Sequence, residues 1–479
     1  VLILNTKRNA TINLASGTVV ANGNLSDAGI IPYEKNGEFR AVVVPQEIAA
    51  GTPMISVTIN GSSYKYSRDN TTTLAASKQH NFTITVNKKA EGDFEFNVSD
   101  ESITDWENDS VSHDATTKEY VVINVKTPGT LDECIKEAGI DVSKIKNLKV
   151  TGVINSRDFA VMRYQMPVLK SLNLKEIHIK AVENGNLDDK YYHRGYDNQI
   201  PENALNKTPI TNLILPDSIT AIGSSAFAYC DLSGSLIIPE GVTAIDDNAF
   251  RECKFLRGKL TLPESLRSIG QNAFSGCLFT GNLTLPSKLE SIGAGAFYFC
   301  TFTGRLSLPS SLKELGGNAF NDNIYLTGDI TIPPGITEIN YNIFNGCYGL
   351  NGALILHDNI TKISDGAFSD CSFRGELILP ENLALIGNHA FDGCKFSGRL
   401  VLPKELMIIG DEAFGGNHLS GIIEIPSNTV NIGVEAFYGC SNLEGIVLPE
   451  TIDLIQERTF AKCYGLNSIV CKGEFPPTI

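Results

Sequence analysis

A segment of 23 or 24 residues recurs eleven times across the second half of the chain, as in LPDSITAIGSSAFAYC (215–230), LPESLRSIGQNAFSGC (262–277) and LPENLALIGNHAFDGC (379–394). One Phe marks each copy: Phe227, Phe250, Phe274, Phe297, Phe320, Phe344, Phe368, Phe391, Phe414, Phe437 and Phe460. A degenerate copy, IPENAL (200–205), precedes them. Self-similarity at this period means a solenoid, because a single copy cannot bury its own apolar residues and must stack on its neighbours.

The spacing within each copy shows which part is packed. The step from the Pro column (Pro216, Pro239, Pro263 and onward, with His357 as the one substitute) to Phe is always 11, and from Phe to the Cys column always 3. All length variation falls between Cys and the next Pro, a stretch that usually carries Gly (Gly234, Gly258, Gly281, Gly304). The invariant part is therefore expected inside, and the variable part where an extra residue can bulge outward. Leu-x-Leu-Pro, as in Leu283-Thr284-Leu285-Pro286, alternates in and out and reads as a short strand ended by Pro. A second inward pair follows, such as Leu289 and Ile292, and then Ala-Phe. The expected fold is mainly β: about eleven coils of 23–24 residues over 205–479, with a β-sandwich before them.

Nine of the eleven cysteines share one repeat position: Cys230, Cys253, Cys277, Cys300, Cys347, Cys371, Cys394, Cys440 and Cys463. Asn323 and Asn417 fill it in the other two copies. A small buried donor that satisfies backbone carbonyls at a turn accepts both residue types. A disulfide does not tolerate Asn, and side chains in a stacked column point in parallel rather than toward each other. Structural free thiols are expected.

The pattern L-x-L-P, I-G, A-F and C resembles the BspA-like leucine-rich-repeat family. Departures are few: His357, Ile343-Phe344, Thr459-Phe460, Asn323 and Asn417. Residues 1–108 follow a different grammar, with short β-type runs at Ala41–Val44, Ile55–Ile59, Tyr64–Tyr66 and Phe82–Val86. Asn60-Gly61 lies between the second and third runs, a strong hairpin signal. Such strands suggest a sandwich. The segments FRAVVVPQEI, INGSSYKY, HNFTITVNKK and ITDWEND resemble fimbrillin-like domains of Bacteroidales surface proteins, as a single domain where fimbrial subunits usually carry two.

Between the two parts, the polar stretch 109–119 reads as a linker, and 120–204 as a cap closing the open end of the solenoid. Thr130 is a plausible N-cap for a helix over 131–139, with Glu133 completing a capping box. Strands are expected near Leu148–Ile154 and Leu172–Ile179. The polar loop 183–199 carries Tyr191, Tyr192, Arg194 and Tyr196, a secondary candidate for recognition because Tyr is favoured at contacts.

Chemistry is harder to find. The net charge of −15 argues against nucleic acid. No H-E-x-x-H, G-x-S-x-G or P-loop motif occurs, so no catalytic residue, metal ligand or cofactor is expected. His389 and His418 fall at variable repeat positions and read as solvated surface. No apolar run approaches the roughly 18 residues that a membrane span needs, and no signal peptide is visible.

The residue between the two inward Leu of each copy forms an outward row in which Ile355, Ile378 and Val401 run together. An adjacent row holding Arg305, Asp329, Glu376 and Arg399 mixes signs. A contiguous apolar strip on an open face marks a contact site; β-branched residues also simply favour strands. Adhesion or protein recognition without catalysis is the expected function. The resemblance implies a cell-surface, outer-membrane setting with a lipid anchor outside this sequence. It also implies a protein ligand, such as a host extracellular-matrix protein or another bacterial surface protein. A glycan-capturing surface protein and an architectural fimbria-associated subunit remain alternatives.

Overall fold

The computed structural model describes residues 120–182 and 195–478, together with the backbone of the strands within 2–105. It divides into two compact units, Val1–Thr117 and Lys118–Ile479.

Among the described residues of the first unit every strand pairing is antiparallel. Pro53–Ile59 pairs with Ser62–Ser67, so that Ile59 faces Ser62 across Asn60-Gly61, and Lys78–Lys88 pairs with Phe94–Asp105. These strands contain three of the four expected runs. Ala41–Val44, the 109–119 linker and the side chains that would pack a sandwich lie outside the described residues.

The second unit is a mainly β solenoid of about 15 turns, more than the eleven coils expected. The additional turns come from residues 120–204. Val121–Val125, Asn147–Ile154, Ser171–Ile179 and Asn212–Ile214 form one parallel sheet. This region therefore joins the first repeat in one continuous parallel sheet. Two helices replace the tight turns here: α1 (Leu131–Glu137) and α2 (Ser156–Gln165), the second without a counterpart in the sequence reading.

The expected capping box on α1 does not form. Thr130 makes no side-chain cap; its hydroxyl donates to the Thr127 carbonyl at 2.8 Å. The cap comes instead from Asp158 of α2, whose carboxylate accepts from Leu131 N at 2.9 Å, Gly129 N at 2.7 Å and Asn155 N at 2.8 Å. Asn155 forms a capping box with Asp158 on α2, and its Oδ1 also accepts from Arg157 N at 2.9 Å. One buried carboxylate thus orders the starts of both helices. Burial pushes its carboxyl up from the usual range, and the three N–H bonds oppose that.

In the repeats the most regular ladder is not Leu-x-Leu-Pro but the pair that ends on the second inward Ile or Leu, as at Ile292. Gln199–Ile200, Ala221–Ile222, Ala244–Ile245, Ser268–Ile269, Ser291–Ile292 and Glu314–Leu315 pair in parallel, and a second run extends from Glu338–Ile339 to Asn431–Ile432. Leu283–Pro286 lies outside any strand, although Leu283 and Leu285 are buried and Thr284 exposed as expected.

Strand placement differs from coil to coil, and Leu236–Ile237 holds a strand on the first Leu after a nine-residue step from Cys230 to Pro239. Where the step from Cys or Asn to the next Pro or His is ten, a strand falls on the first Leu or Ile, at Leu260–Thr261, Ile330–Thr331 and Leu354–Ile355. After two of the nine-residue steps the strand lies upstream, at Gly304–Arg305 and Arg374–Gly375. Neighbouring backbones meet only where their registers agree.

The core is a stack of rings. Successive Phe residues from Phe227 to Phe460 lie 5.1 to 6.1 Å apart, nearly parallel. A second buried set was not singled out from the sequence: Phe279 stacks on Phe302 at 5.8 Å and Phe373 on Phe396 at 6.1 Å, each edge-on to the main column. In two of the 24-residue coils the corresponding position carries exposed Phe255 and Tyr325, and the next residue, Leu256 or Leu326, is buried instead. The extra residue bulges outward.

Candidate binding surface

The turn after each Phe builds the Cys/Asn column. The Phe227 carbonyl accepts from Cys230 N at 3.2 Å and from Cys253 Sγ, one coil on, at 3.1 Å. The same reach to the preceding Phe recurs at Cys277, Cys300, Cys347, Cys371, Cys394, Cys440 and Cys463, and Cys230 reaches Leu205 of the degenerate copy. Asn323 Nδ2 donates to Phe297 and Phe320 carbonyls at 2.7 and 2.9 Å, and Asn417 to those of Phe391 and Phe414 at 2.8 and 3.1 Å. Asn417 Oδ1 also accepts from Phe396 N at 3.0 Å.

All eleven cysteines are free thiols, and the nine of the column are buried. Burial pushes Cys347 up to about 12, which leaves almost no thiolate at neutral pH. Native alkylation should therefore label exposed Cys471 and half-buried Cys134, and denaturation without reductant should release the nine column thiols. Mass measurement checks this; recovering the nine as disulfides overturns it.

The outward row is exposed as the repeat requires: Ile355 49%, Ile378 73% and Val401 67%. Ile355 sits on the strand Leu354–Ile355, paired with Thr331, whereas Ile378 and Val401 lie outside any strand. The row is thus three consecutive coils but not one unbroken ladder, for the register reason above. Arg305, Asp329, Glu376 and Arg399 are exposed beside it.

Arg305 and Glu376 lie over glycines of the next coil. A Cβ at Gly328 would stand 2.9 Å from Arg305 Cγ, and one at Gly398 3.0 Å from Glu376 Cγ. The spacer Gly therefore makes room for the preceding coil's side chain besides taking a left-handed backbone. Asp329 Oδ1 accepts from Ala353 N at 2.8 Å, which ties it to the fold. Of the loop candidates, Tyr196 is exposed, and neighbouring Asp197 binds Lys180 Nζ and Ala181 N, each at 2.8 Å. Tyr191, Tyr192 and Arg194 lie outside the described residues.

The sequence reading missed three further features. Tyr298, Phe299, Tyr325 and Tyr348 are exposed on neighbouring coils, and Phe299 holds a left-handed backbone at φ 54°, uncommon for a bulky residue. Met407 and Val430 are exposed beside the regular ladder. A shallow groove lined by Lys313, Glu314, Glu338 and Asn340 opens where that ladder breaks. There Asn340 Nδ2 donates to the Leu315 carbonyl at 2.8 Å in place of a backbone N–H. No regular period signals any of these, because each depends on residues that vary between copies.

Overlapping matches to the BspA type leucine rich repeat region run from 198–327 to 361–476, more than half of the chain. The chain belongs to the BspA-type leucine-rich-repeat family. Residues 1–106 match the fimbrillin-like family.

A leucine-rich repeat protein from Bacteroides ovatus is 27% identical, with a TM-score of 0.45; the match covers 53% of this chain and 64% of that one. A leucine rich cell surface protein from Faecalibacterium prausnitzii is 18% identical over 89% of this chain and 97% of its own, with a TM-score of 0.36. The pneumococcal vaccine antigen PcpA is 16% identical over 68% and 80%, with a TM-score of 0.33. None of the curated proteins matches. Among the described residues, no helix is long and apolar enough to cross a membrane.

Proposed function

We propose that this BspA-type chain is a non-catalytic recognition protein of the bacterial cell surface that docks a protein partner across Ile355, Ile378 and Val401. The observation that carries this reading is the exposure of three aliphatic side chains on consecutive coils, at 49%, 73% and 67%. Exposed charges of both signs border them at Glu376 and Arg399. An apolar centre with a polar rim is the usual anatomy of a protein interface. The packed coils fix the backbone beneath the three side chains, so little ordering entropy is lost on binding. The surface location is supported by the fimbrillin-like match and by the description of the Faecalibacterium prausnitzii structure as a cell surface protein.

Binding to matrix proteins and bacterial cells tests the reading with two variants that keep the parent's melting behaviour. One changes Ile355, Ile378 and Val401 together to Asp; the other deletes Asp188 to Tyr196. The first is expected to abolish binding and the second to preserve it. The reverse result moves recognition to the Tyr-bearing loop.

Glycan capture is the second reading, favoured by the exposed rings of Tyr298, Phe299, Tyr325 and Tyr348, since sugar faces stack on aromatic surfaces. Loss of glycan-array signal in Phe299→Ala and Tyr325→Ala, with the triple Asp variant unaffected, would establish it instead.

A further inference from the structure

The turn columns bring together side chains that the sequence holds apart. His389 and Glu412 occupy the same repeat position on adjacent coils, and Asp392 follows Phe391 in the turn between them. His389 Nδ1 lies 3.6 Å from Asp392 Oδ2 and 3.8 Å from Glu412 Oε2. One ligand atom from each of the three falls within 4.8 Å of the others, at a partly exposed site. We propose that His389, Asp392 and Glu412 bind a divalent transition-metal ion of the Zn²⁺ type.

The distances suit such an ion. Bonds of about 2.0–2.2 Å to imidazole nitrogen and carboxylate oxygen put tetrahedral ligand atoms roughly 3.4 Å apart. The two measured separations are within a few tenths of an ångström of that, and small side-chain rotations close the rest. One imidazole and two carboxylates suit a borderline ion, whereas Ca²⁺ and Mg²⁺ prefer all-oxygen sets. Three protein ligands on an exposed turn leave a further position for water or for a donor from a partner.

Two other observations point the same way. In the Phe320 coil this corner carries a neutral pair: Asn321 Nδ2 donates to Asn318 Oδ1 at 2.9 Å. In the His389 coil that pair becomes His and Asp, and the next coil adds Glu. Gly415, which follows Phe414 as Asp392 follows Phe391, has no left-handed backbone that would require Gly. A Cβ there would stand 2.6 Å from Asp392 Oδ1, so the space over the carboxylate exists only because residue 415 is Gly.

The test uses the full chain with Cys471→Ser, which removes an exposed competing thiol. Zn²⁺ is titrated by calorimetry and Co²⁺ by its visible absorption. A single ion is expected to bind and to raise the melting temperature. His389→Asn keeps a residue at ease in the left-handed backbone and should weaken binding at least about tenfold. Glu412→Gln should do the same. Gly415→Ala should weaken Zn²⁺ binding by crowding Asp392, and His418→Ala should leave it unchanged. Three results overturn the proposal: no Zn²⁺ binding by the parent, His389→Asn binding like the parent, or Ca²⁺ binding as tightly as Zn²⁺.

Discussion

Replacing Phe320 by Ala lowers the stability of the solenoid by about 3–5 kcal/mol, the usual loss when a buried Phe site is emptied. Phe320 is 0% exposed, and its ring lies 5.4 Å from both Phe297 and Phe344, at interplanar angles of 11° and 5°. Both neighbours are held by further coils, so the cavity has little freedom to collapse. Phe460 differs: it is only partly buried, and its stacked neighbour is Phe437 at 5.8 Å. Phe460→Ala should therefore cost clearly less. Exposed Asn282→Ala should shift stability by no more than about 0.5 kcal/mol. Urea melts of the three variants check the order. Equal shifts at Phe320 and Asn282 would mean that the assignment of inside and outside is wrong. Because each coil contacts mainly its neighbours, a loss in the middle also uncouples the two arms. Hydrogen exchange should accelerate first in the coils flanking Phe320.

The parts of this fold that were legible in the sequence are those the period enforces. Phe, Ala, the inward Leu and Ile, and the Cys/Asn column recur at fixed spacing, and away from the last coil each faces much the same surroundings. Their burial therefore follows from position alone. The interchange of Cys and Asn was informative for the same reason: Sγ and Nδ2 both donate to the carbonyl of the preceding coil's Phe. Features that depend on register between coils were not legible. Leu377-Ile378-Leu379 and Leu354-Ile355-Leu356 look alike in sequence, yet only the second includes a strand, paired with Ile330–Thr331 one coil back. Features that depend on one coil's departure from its neighbours were also hidden. His389 reads as a surface substitution until Glu412 is seen one coil away.

Helix α1 shows the same limit over a longer distance, and Asp158→Ala measures it. That substitution should lower the stability of the first turns by on the order of 4 kcal/mol, since it leaves three backbone N–H groups without their acceptor, each costing about 1–3 kcal/mol when buried. Asp158 is 0% exposed, and its oxygens hold Gly129 N, Leu131 N and Asn155 N at 2.7, 2.9 and 2.8 Å. The sequence around 130–137 favours Thr130 as the cap, because the eye compares residues three apart. The acceptor actually used is 27 positions from Leu131, brought there by the return of the chain through Asn147–Ile154. Thr130→Ala is therefore expected to cost no more than about 0.5 kcal/mol, well below a typical N-cap loss of about 1 kcal/mol. Asp158→Asn keeps the shape but turns an amide NH₂ toward one of the donors, so its loss should fall between the two. Hydrogen exchange at Gly129, Leu131 and Asn155 separates this local effect from global melting. A larger loss for Thr130→Ala than for Asp158→Ala would return the cap to Thr130 and leave the buried carboxylate without a structural role.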